Sequence, residues 1–527
     1  MKKNIIKFFN SIIFVSIYFI FIAMPINAAT LKPWWHKYMS AGAKFVQSVQ
    51  HDEYSETPAT VRLSTTLSDQ EKQFVADRLP QIRTCIETLL NTPLGSDAQV
   101  PTIAFCFSGG GYRAMIETAG SLIAADELGL LSATMYMSGL SGSTWAITPW
   151  VASGMSINDY FEQLIPKLTR TLTESYGRLT YDHKFDLAAL MLRKHGDGQS
   201  IGIVDIYGAM LANNLLDGIV NDPFIYTLAD LMQNLSNNQY PLPISTAVLG
   251  GKGNHHNWVE FTPFEIGCNN LGYIPTWALG RRFDGGKALP VEPDRFAYQQ
   301  NLGYLMGIWG SAFTIDMGHI EFEIPEYKDR SLVQMLRDTF EYLGIKDENF
   351  GAAYLPNFSF GLFNQQQDIS LIDGGLDLVG NCFLNIGIIP LLRKERNVDI
   401  IIICDASMNT KNAPALRAAE LRAKSLGLKF PEINYENIDQ CTVSVFEDSS
   451  KTDIPTIIYI PGIPNPNYGQ FDPHAAAYTA TTNFYYTPEQ TRELAGLARQ
   501  NLLDSQHVII DAIHHSIEKK HASWFNF

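Results

Sequence analysis

Two glycine-rich turns, SGGGYRAM (Ser108 to Met115) and GLSGSTW (Gly139 to Trp145), constrain this chain most, because each stands where an apolar strand pattern hands over to a helix pattern. The apolar run ending at Phe107 is followed by helix periodicity from about Tyr112 to Leu128. A second run, Ala133 to Met137, precedes a helix whose apolar positions begin at Trp145. Later runs, Asp399 to Cys404 and Thr456 to Ile460, alternate with helical segments at Ala413 to Leu426 and Pro488 to Leu503. This alternation predicts an α/β fold of three layers, α/β/α, with a largely parallel central sheet and functional groups at strand C-terminal ends.

The turns carry acyl-transfer chemistry. Ser141 lies at the tip of the second, and its flanking glycines let the backbone turn tightly enough to project the hydroxyl. The pattern is G-x-S-G-S, with Ser143 where an α/β-hydrolase elbow has its last glycine. The same residues would also serve as a plain turn with a helix-capping serine. In the first turn Gly109, Gly110 and Gly111 precede a helix directly, which exposes N–H groups beside the positive end of the helix dipole. Arg113 adds a planar cation suited to phosphate or a developing oxyanion. Neither G-x-G-x-x-G nor a Walker loop is present there, which removes the nucleotide reading. An activated serine needs a base, and SLIDGGLDL places Asp373 on an exposed turn at a strand end. In water such a carboxylate is a weak base, with a pKa of roughly 3.9, so it needs an apolar site to strengthen it.

SGGGYRAM, GLSGSTW and the DGG of Asp373 to Gly375, in that order, resemble the catalytic domain of the cytosolic phospholipase A2 and lysophospholipase B family. WVEFTPFEIG (258–267), YLMGIWGSAFTI (304–315), PLLRKERNVDIIIICDAS (390–407) and DIPTIIYIPGIPN (453–465) extend the likeness over residues 60 to 520. The resemblance implies a patatin-like acyl hydrolase with Ser141 as nucleophile and Asp373 as base, a dyad without catalytic histidine. It further implies an oxyanion hole at Gly109, Gly110 and Gly111, and phosphate contacts from Arg113 and Arg396, with Arg393 a neighbour easily confused with the latter. The substrate implied is a phospholipid or lysophospholipid at a membrane or micelle surface, with no cofactor and no C2 domain. The DGG form is closer to fungal lysophospholipases than to several animal members, which leaves acyl position and head group open. A lipid acyltransferase using the same acyl-serine, and a non-catalytic lipid-binding protein, are the alternative readings.

A Ser-His-Asp triad would draw on His474, His507, His514 or His515, but His474 lacks a Gly/Ser turn and the others fall on a helical segment. His255 and His256 lack the H-E-x-x-H spacing of a zinc hydrolase, and no catalytic metal is expected. The six cysteines are dispersed, with Cys106 and Cys404 inside core strands as buried thiols.

The N-terminus runs from Lys2, Lys3 and Lys7 through an apolar core, Ile12 to Met24, to the small residues Ala28 and Ala29. That order predicts a secretory signal peptide over residues 1–28 and a secreted or periplasmic protein, an uncleaved membrane anchor being the alternative. Its core is short against the roughly 20 apolar residues of a membrane span. The next region, 29–95, reads as a helical extension, and 96–527 as one catalytic domain with cap or lid elements within about 153–356. Net charge is −15, and −18 without the three leader lysines, a field that excludes nucleic acid as a partner. Interfacial contact would then rest on aromatic surface, for which Trp34, Trp35 and Trp277 are the candidates.

Overall fold

Ile103–Phe107 (β1), Thr134–Leu140 (β2), Leu242–Leu249 (β3), Trp258–Phe261 (β4), Glu265–Cys268 (β5) and Gly272–Pro275 (β6) belong to one sheet. Ala353–Pro356 (β7), Asp368–Asp373 (β8), Ile400–Asp405 (β9), Ser444–Phe446 (β10) and Thr456–Pro461 (β11) complete its eleven strands. The computed structural model describes Tyr54, 57–96, 98–177, 190, 194, 198–199, 201–237, 239–250, 257–290, 299–312 and 353–524. Residues 1–28, Trp34, Trp35, His255 and His256 lie outside the described residues, as does 313–352 of the expected cap region.

The centre of the sheet runs β11, β9, β1, β2, β3, all parallel, as the sequence predicts. Strands buried on both faces read as continuous apolar runs, and IAFCF and IIIICD are buried at every position. Antiparallel strands close both margins: β10 beside β11, and β4, β5 and β6 beyond β3. The β7–β8 hairpin also joins β3 through β8. The described part of the interval 153–356 therefore supplies five strands, β3 to β7, to the main sheet as well as helices. Their shortness, and Pro243, Ser245 and Thr246 within β3, hide them from a periodicity reading.

The sheet is flanked by helices. Asp69–Leu89 (α1) comes from the N-terminal extension, opens on Ser68, whose hydroxyl accepts the Glu71 N–H at 3.1 Å, and buries Phe74, Ile82 and Ile86. Its Arg78, fully buried, donates to the carbonyls of Thr134 at 2.9 Å and Leu131 at 3.2 Å and so ties the extension to the start of β2. Gly111–Glu127 (α2) and Thr144–Ser153 (α3) follow the two glycine turns. Ile157–Leu168 (α4), Ile203–Leu211 (α5) and Leu302–Trp309 (α6) come next, then Pro414–Ser425 (α7), Pro488–Asp504 (α8) and Gln506–Trp524 (α9). A reciprocal cap starts α8: Thr487 accepts the Gln490 N–H at 3.2 Å and the Gln490 side chain accepts the Thr487 N–H at 2.9 Å, with Pro488 at the first helical position. No described helix is long and apolar enough to cross a membrane.

Candidate functional site

The chain turns at once where β2 ends. Ser141 has φ 53°, the left-handed region that a serine enters only when its surroundings force it. Ser143 supplies that force: its hydroxyl accepts the Leu140 N–H at 2.8 Å and donates to the Leu140 carbonyl at 2.9 Å. The Thr144 hydroxyl donates to the Ser141 carbonyl at 2.6 Å. The serine occupying the place of an elbow glycine is thus the brace of the turn, and the Ser141 hydroxyl alone makes no such bond.

Asp373 arrives from the other direction. Along one edge of β3, β2 pairs as far as Leu140 opposite Thr246, and β8 takes over with Asp373 opposite Ala247. The first residue past β2 is Ser141, so the elbow and the aspartate meet where the two strands abut. Asp373 is fully buried, not on an exposed turn; its N–H donates to Ser311 Oγ at 3.1 Å and its Oδ1 accepts the Gly375 N–H at 2.8 Å. Oδ2 is buried with no hydrogen bond of normal geometry. Burial pushes the carboxyl up to about 7, against the lowering effect of the Gly375 N–H and of the nearby Ser141 hydroxyl. Ser141 is therefore close enough to act on the carboxyl without a formed hydrogen bond, a looseness common before substrate is bound. Leu140 and the Trp258 ring press on the DGG turn at Gly374 and supply apolar wall.

The first glycine turn packs directly onto this elbow. A Cβ at Gly142 would overlap the Gly111 carbonyl, and one at Gly109 would stand 3.0 Å from Ser141 Cβ. Only backbone fits between the turns. Gly110 (φ 146°) and Gly111 (φ 60°) hold conformations that side chains resist. Among the described residues their N–H groups make no hydrogen bond, as expected for the N-cap and first residue of α2. Gly109 differs from the expectation: its N–H donates to the Asn385 carbonyl at 3.0 Å, which leaves it no donor for an oxyanion. Gly142, directly after the serine, stands where acyl-transfer elbows keep their second oxyanion donor, a role its position in the motif could have signalled. Asn385 was invisible in the sequence; its side chain donates to the Gly109 carbonyl at 3.0 Å and to Ser407 Oγ at 2.8 Å and so fixes the loop from both sides.

The two arginines separate. Arg113 is buried under the glycine turn, with Nε donating to the Ala406 carbonyl at 2.8 Å and Nη1 to the Thr479 carbonyl at 2.8 Å and Thr481 Oγ1 at 3.1 Å. Its Nη2 lies against Gly110. Arg396 has no side-chain surface. It donates to Glu71 at 2.8 and 3.2 Å, to Glu260 at 2.6 and 3.3 Å and to the Pro390 carbonyl at 2.9 Å. Five bonds account for the five N–H groups of a guanidinium, so the phosphate role implied for Arg396 has no donor to serve it here. Arg393 shares Glu260 in the same ionic cluster. Among the histidines, His474 sits with Asp472 and Thr410, and His507, His514 and His515 lie on α9. All six cysteines are free.

The model of the lysophospholipase catalytic domain family matches residues 103–421, which contain the serine elbow, the glycine turns and Asp373. A lysophospholipase of Arthroderma benhamiae is 27% identical over 441 residues, covering 73% of this chain and 66% of its own length. Human cytosolic phospholipase A2 zeta is 31% identical over 277 residues, 51% of this chain and 31% of the relative. The chain thus spans about two thirds or less of the length of these relatives. Among solved structures, human GIVD cytosolic phospholipase A2 superposes with a TM-score of 0.72 at 20% identity, over 88% of this chain and 68% of that one. The same enzyme in complex with methyl gamma-linolenyl fluorophosphonate gives 0.69 at 22% identity, over 87% and 66%. The flanked, centrally parallel sheet is the fold of that enzyme. With more than half of its residues matched by the family model, the chain belongs to the lysophospholipase catalytic domain family.

Proposed function

We propose that this protein is an exported lipid acyl hydrolase that cleaves fatty-acyl esters of glycerophospholipids or lysophospholipids through a Ser141–Asp373 dyad. The observation that carries the reading is the junction on β3, where a strained serine turn abuts a buried carboxyl whose pKa is about 7. Relatives of this family are named lysophospholipase and phospholipase A2, and the order of charges and apolar residues at the N-terminus supports export.

In the first step Ser141 Oγ attacks the acyl carbonyl carbon while its proton passes to Asp373. The tetrahedral oxyanion is received by the N–H groups of Gly110, Gly111 and Gly142, with Arg113 Nη2 adding positive charge behind Gly110. Collapse breaks the ester bond, and Asp373 returns the proton to the leaving glycerol oxygen. Water then attacks the acyl-serine, giving its proton to Asp373; collapse restores the serine hydroxyl and releases the fatty acid. A carboxylate with its pKa near 7 accepts and returns a proton at neutral pH far better than one in water.

Fatty-acid release from position-labelled phosphatidylcholine and lysophosphatidylcholine tests this, with folded Ser141→Ala and Asp373→Asn beside wild type. Release by wild type and background from both variants supports the dyad. Near-normal release by Asp373→Asn overturns it, and an acylated alcohol in place of free fatty acid makes the protein a transferase.

A further inference from the structure

The DGGLD turn ends on a second aspartate, Asp377, a short step past the base. Asp377 is fully buried and closes the turn: its N–H donates to the Gly374 carbonyl at 3.1 Å, and its own carbonyl accepts the Leu384 N–H at 2.8 Å. Its Oδ2 accepts the Trp258 indole N–H at 2.8 Å and Arg422 Nε at 2.8 Å, while Oδ1 accepts Arg422 Nη2. Trp258 comes from β4 and Arg422 from α7, so distant parts of the chain meet at this carboxylate. The Asp377 and Arg422 side chains keep only 0% and 4% of their surface exposed.

Trp258 carries the contact to the reaction centre. Ile372, Val248 and Trp258 stand opposite one another across β8, β3 and β4, so their side chains share one face of the sheet. From there the indole reaches the turn: a Cβ at Gly374 would stand 3.2 Å from its Cη2 and Cζ3, and 3.2 Å from Leu140 Cδ1. The ring thus lies on the backbone directly after Asp373. Among the described residues no charged side chain shifts the Asp373 carboxyl; besides burial, it responds to the backbone at Gly375 and Ala312 and to the Ser141 hydroxyl. Tyr207 from α5 is a titratable group that feels it, and Asp368 lies at the exposed far end of β8. Arg422 is engaged by Asp377, Glu260 of β4 by Arg393 and Arg396, and Arg113 by the Ala406 and Thr479 carbonyls. What the Asp377 cluster can change at Asp373 is therefore its exposure to water.

A buried ion pair is a poor source of stability, because desolvating both charges offsets their attraction. Its directed bonds do fix geometry, and here the same carboxylate holds the indole. A ring packed by shape alone can settle in another rotamer, whereas one tied by its N–H cannot leave without stranding a buried donor. We propose that Asp377 and Arg422 are positioning residues for the base: they clamp the Trp258 ring over the DGG turn and so keep water from the Asp373 carboxyl. The proposal rests on the acyl-hydrolase reading for the role of Asp373.

Two measurements on the full chain test it, with Trp258→Leu, which removes the ring, and the paired variant Asp377→Leu/Arg422→Met, which removes both charges at once. The first follows kcat/KM on a water-soluble short-chain acyl ester against pH. From an acid limb at about 7 in wild type, both variants should fall by about one unit. At pH 6 each then keeps about fivefold more of its own maximal rate than wild type does. A limb that stays in place, whatever the melting temperature does, leaves the cluster a purely structural role and overturns the proposal. The second measurement needs no turnover. Asp373→Asn is introduced into wild type and into each variant, and denaturation midpoints are read at pH 5 and pH 8. The gain in midpoint that Asp373→Asn brings at pH 8 should shrink in the variants, where water already eases ionisation of the carboxyl. An equal gain in all three backgrounds overturns the clamp, and this arm decides it even if wild type hydrolyses no ester and the hydrolase reading fails. Trp258→Phe, which keeps an aromatic ring and loses the N–H, takes the place of the paired variant if that does not fold.

Discussion

Leu140 and Asp373 hold consecutive places along one edge of β3, opposite Thr246 and Ala247, although they lie far apart in the chain. The last residue of β2 and the last residue of β8 are therefore in line, and Ser141 begins where Asp373 ends. Backbone pairing, not a flexible loop, sets the distance between hydroxyl and carboxyl. A rigid ladder of this kind holds reacting groups in register at little entropic cost during the reaction.

The pH profile should carry the signature of Asp373. A base must be ionised to act, so kcat/KM should rise with pH through about 7 and fall about tenfold per unit below it. Stability should move in the opposite direction. The folded pKa is raised above the unfolded value, so the contribution of this carboxyl is full below the unfolded pKa and is lost as pH rises through about 7. At pH 8 Asp373→Asn should therefore be inactive yet more stable than wild type by an amount on the order of a few kcal/mol. Denaturant melts at pH 5 and pH 8 check this; a variant equally stable or weaker at pH 8 contradicts a buried ionised base.

Gly142→Ala should abolish activity through geometry alone. The added methyl must displace the Gly111 carbonyl, which moves the proposed oxyanion donors away from the serine. A loss of about 100-fold or more in kcat is expected, as for removal of an oxyanion donor. Stopped-assay kinetics on a soluble acyl ester, with a melting curve to confirm folding, measure it.

Arg396→Met should act on stability. It strands Glu71 and Glu260 in the interior, and breaking a buried ion pair from one side typically costs about 3–5 kcal/mol. The expected result is a large fall in melting temperature, with the KM of the protein that remains folded unchanged. A raised KM for phospholipid with normal stability would restore the phosphate role to this residue.

Glu117 gives a second pH-dependent term. It is buried beside Arg113 and Asp405 at a small cavity of about 20 Å³, and burial lifts its carboxyl to about 8, with Arg113 lowering and Asp405 raising the value. Its contribution to stability should be lost as pH rises through about 8, and Glu117→Gln should flatten the alkaline limb of a stability profile. Melting temperatures at half-unit steps from pH 6 to pH 9.5 read this, and an unaltered limb in Glu117→Gln would rule the group out as its cause.

The sequence by itself determined the local pieces: the strands around Ile103–Phe107 and Ile400–Asp405, the helices at Gly111–Glu127 and Pro488–Asp504, and the two glycine turns. These follow from short-range causes, continuous apolar runs, helical periodicity, caps and the conformational freedom of glycine, and each is complete within about twenty residues. The turns that carry Ser141, Gly110 and Gly111, and the strand end at Asp373, were legible for the same reason, since a turn displays its own backbone. What only the tertiary structure decided depends on partners distant in the chain. Gly109 spends its N–H on Asn385, Arg396 is closed by Glu71 and Glu260, and Asp373 is buried instead of exposed. Donor occupancy, burial and the alignment of two strands on β3 are properties of neighbours in space, and periodicity along a chain does not encode them.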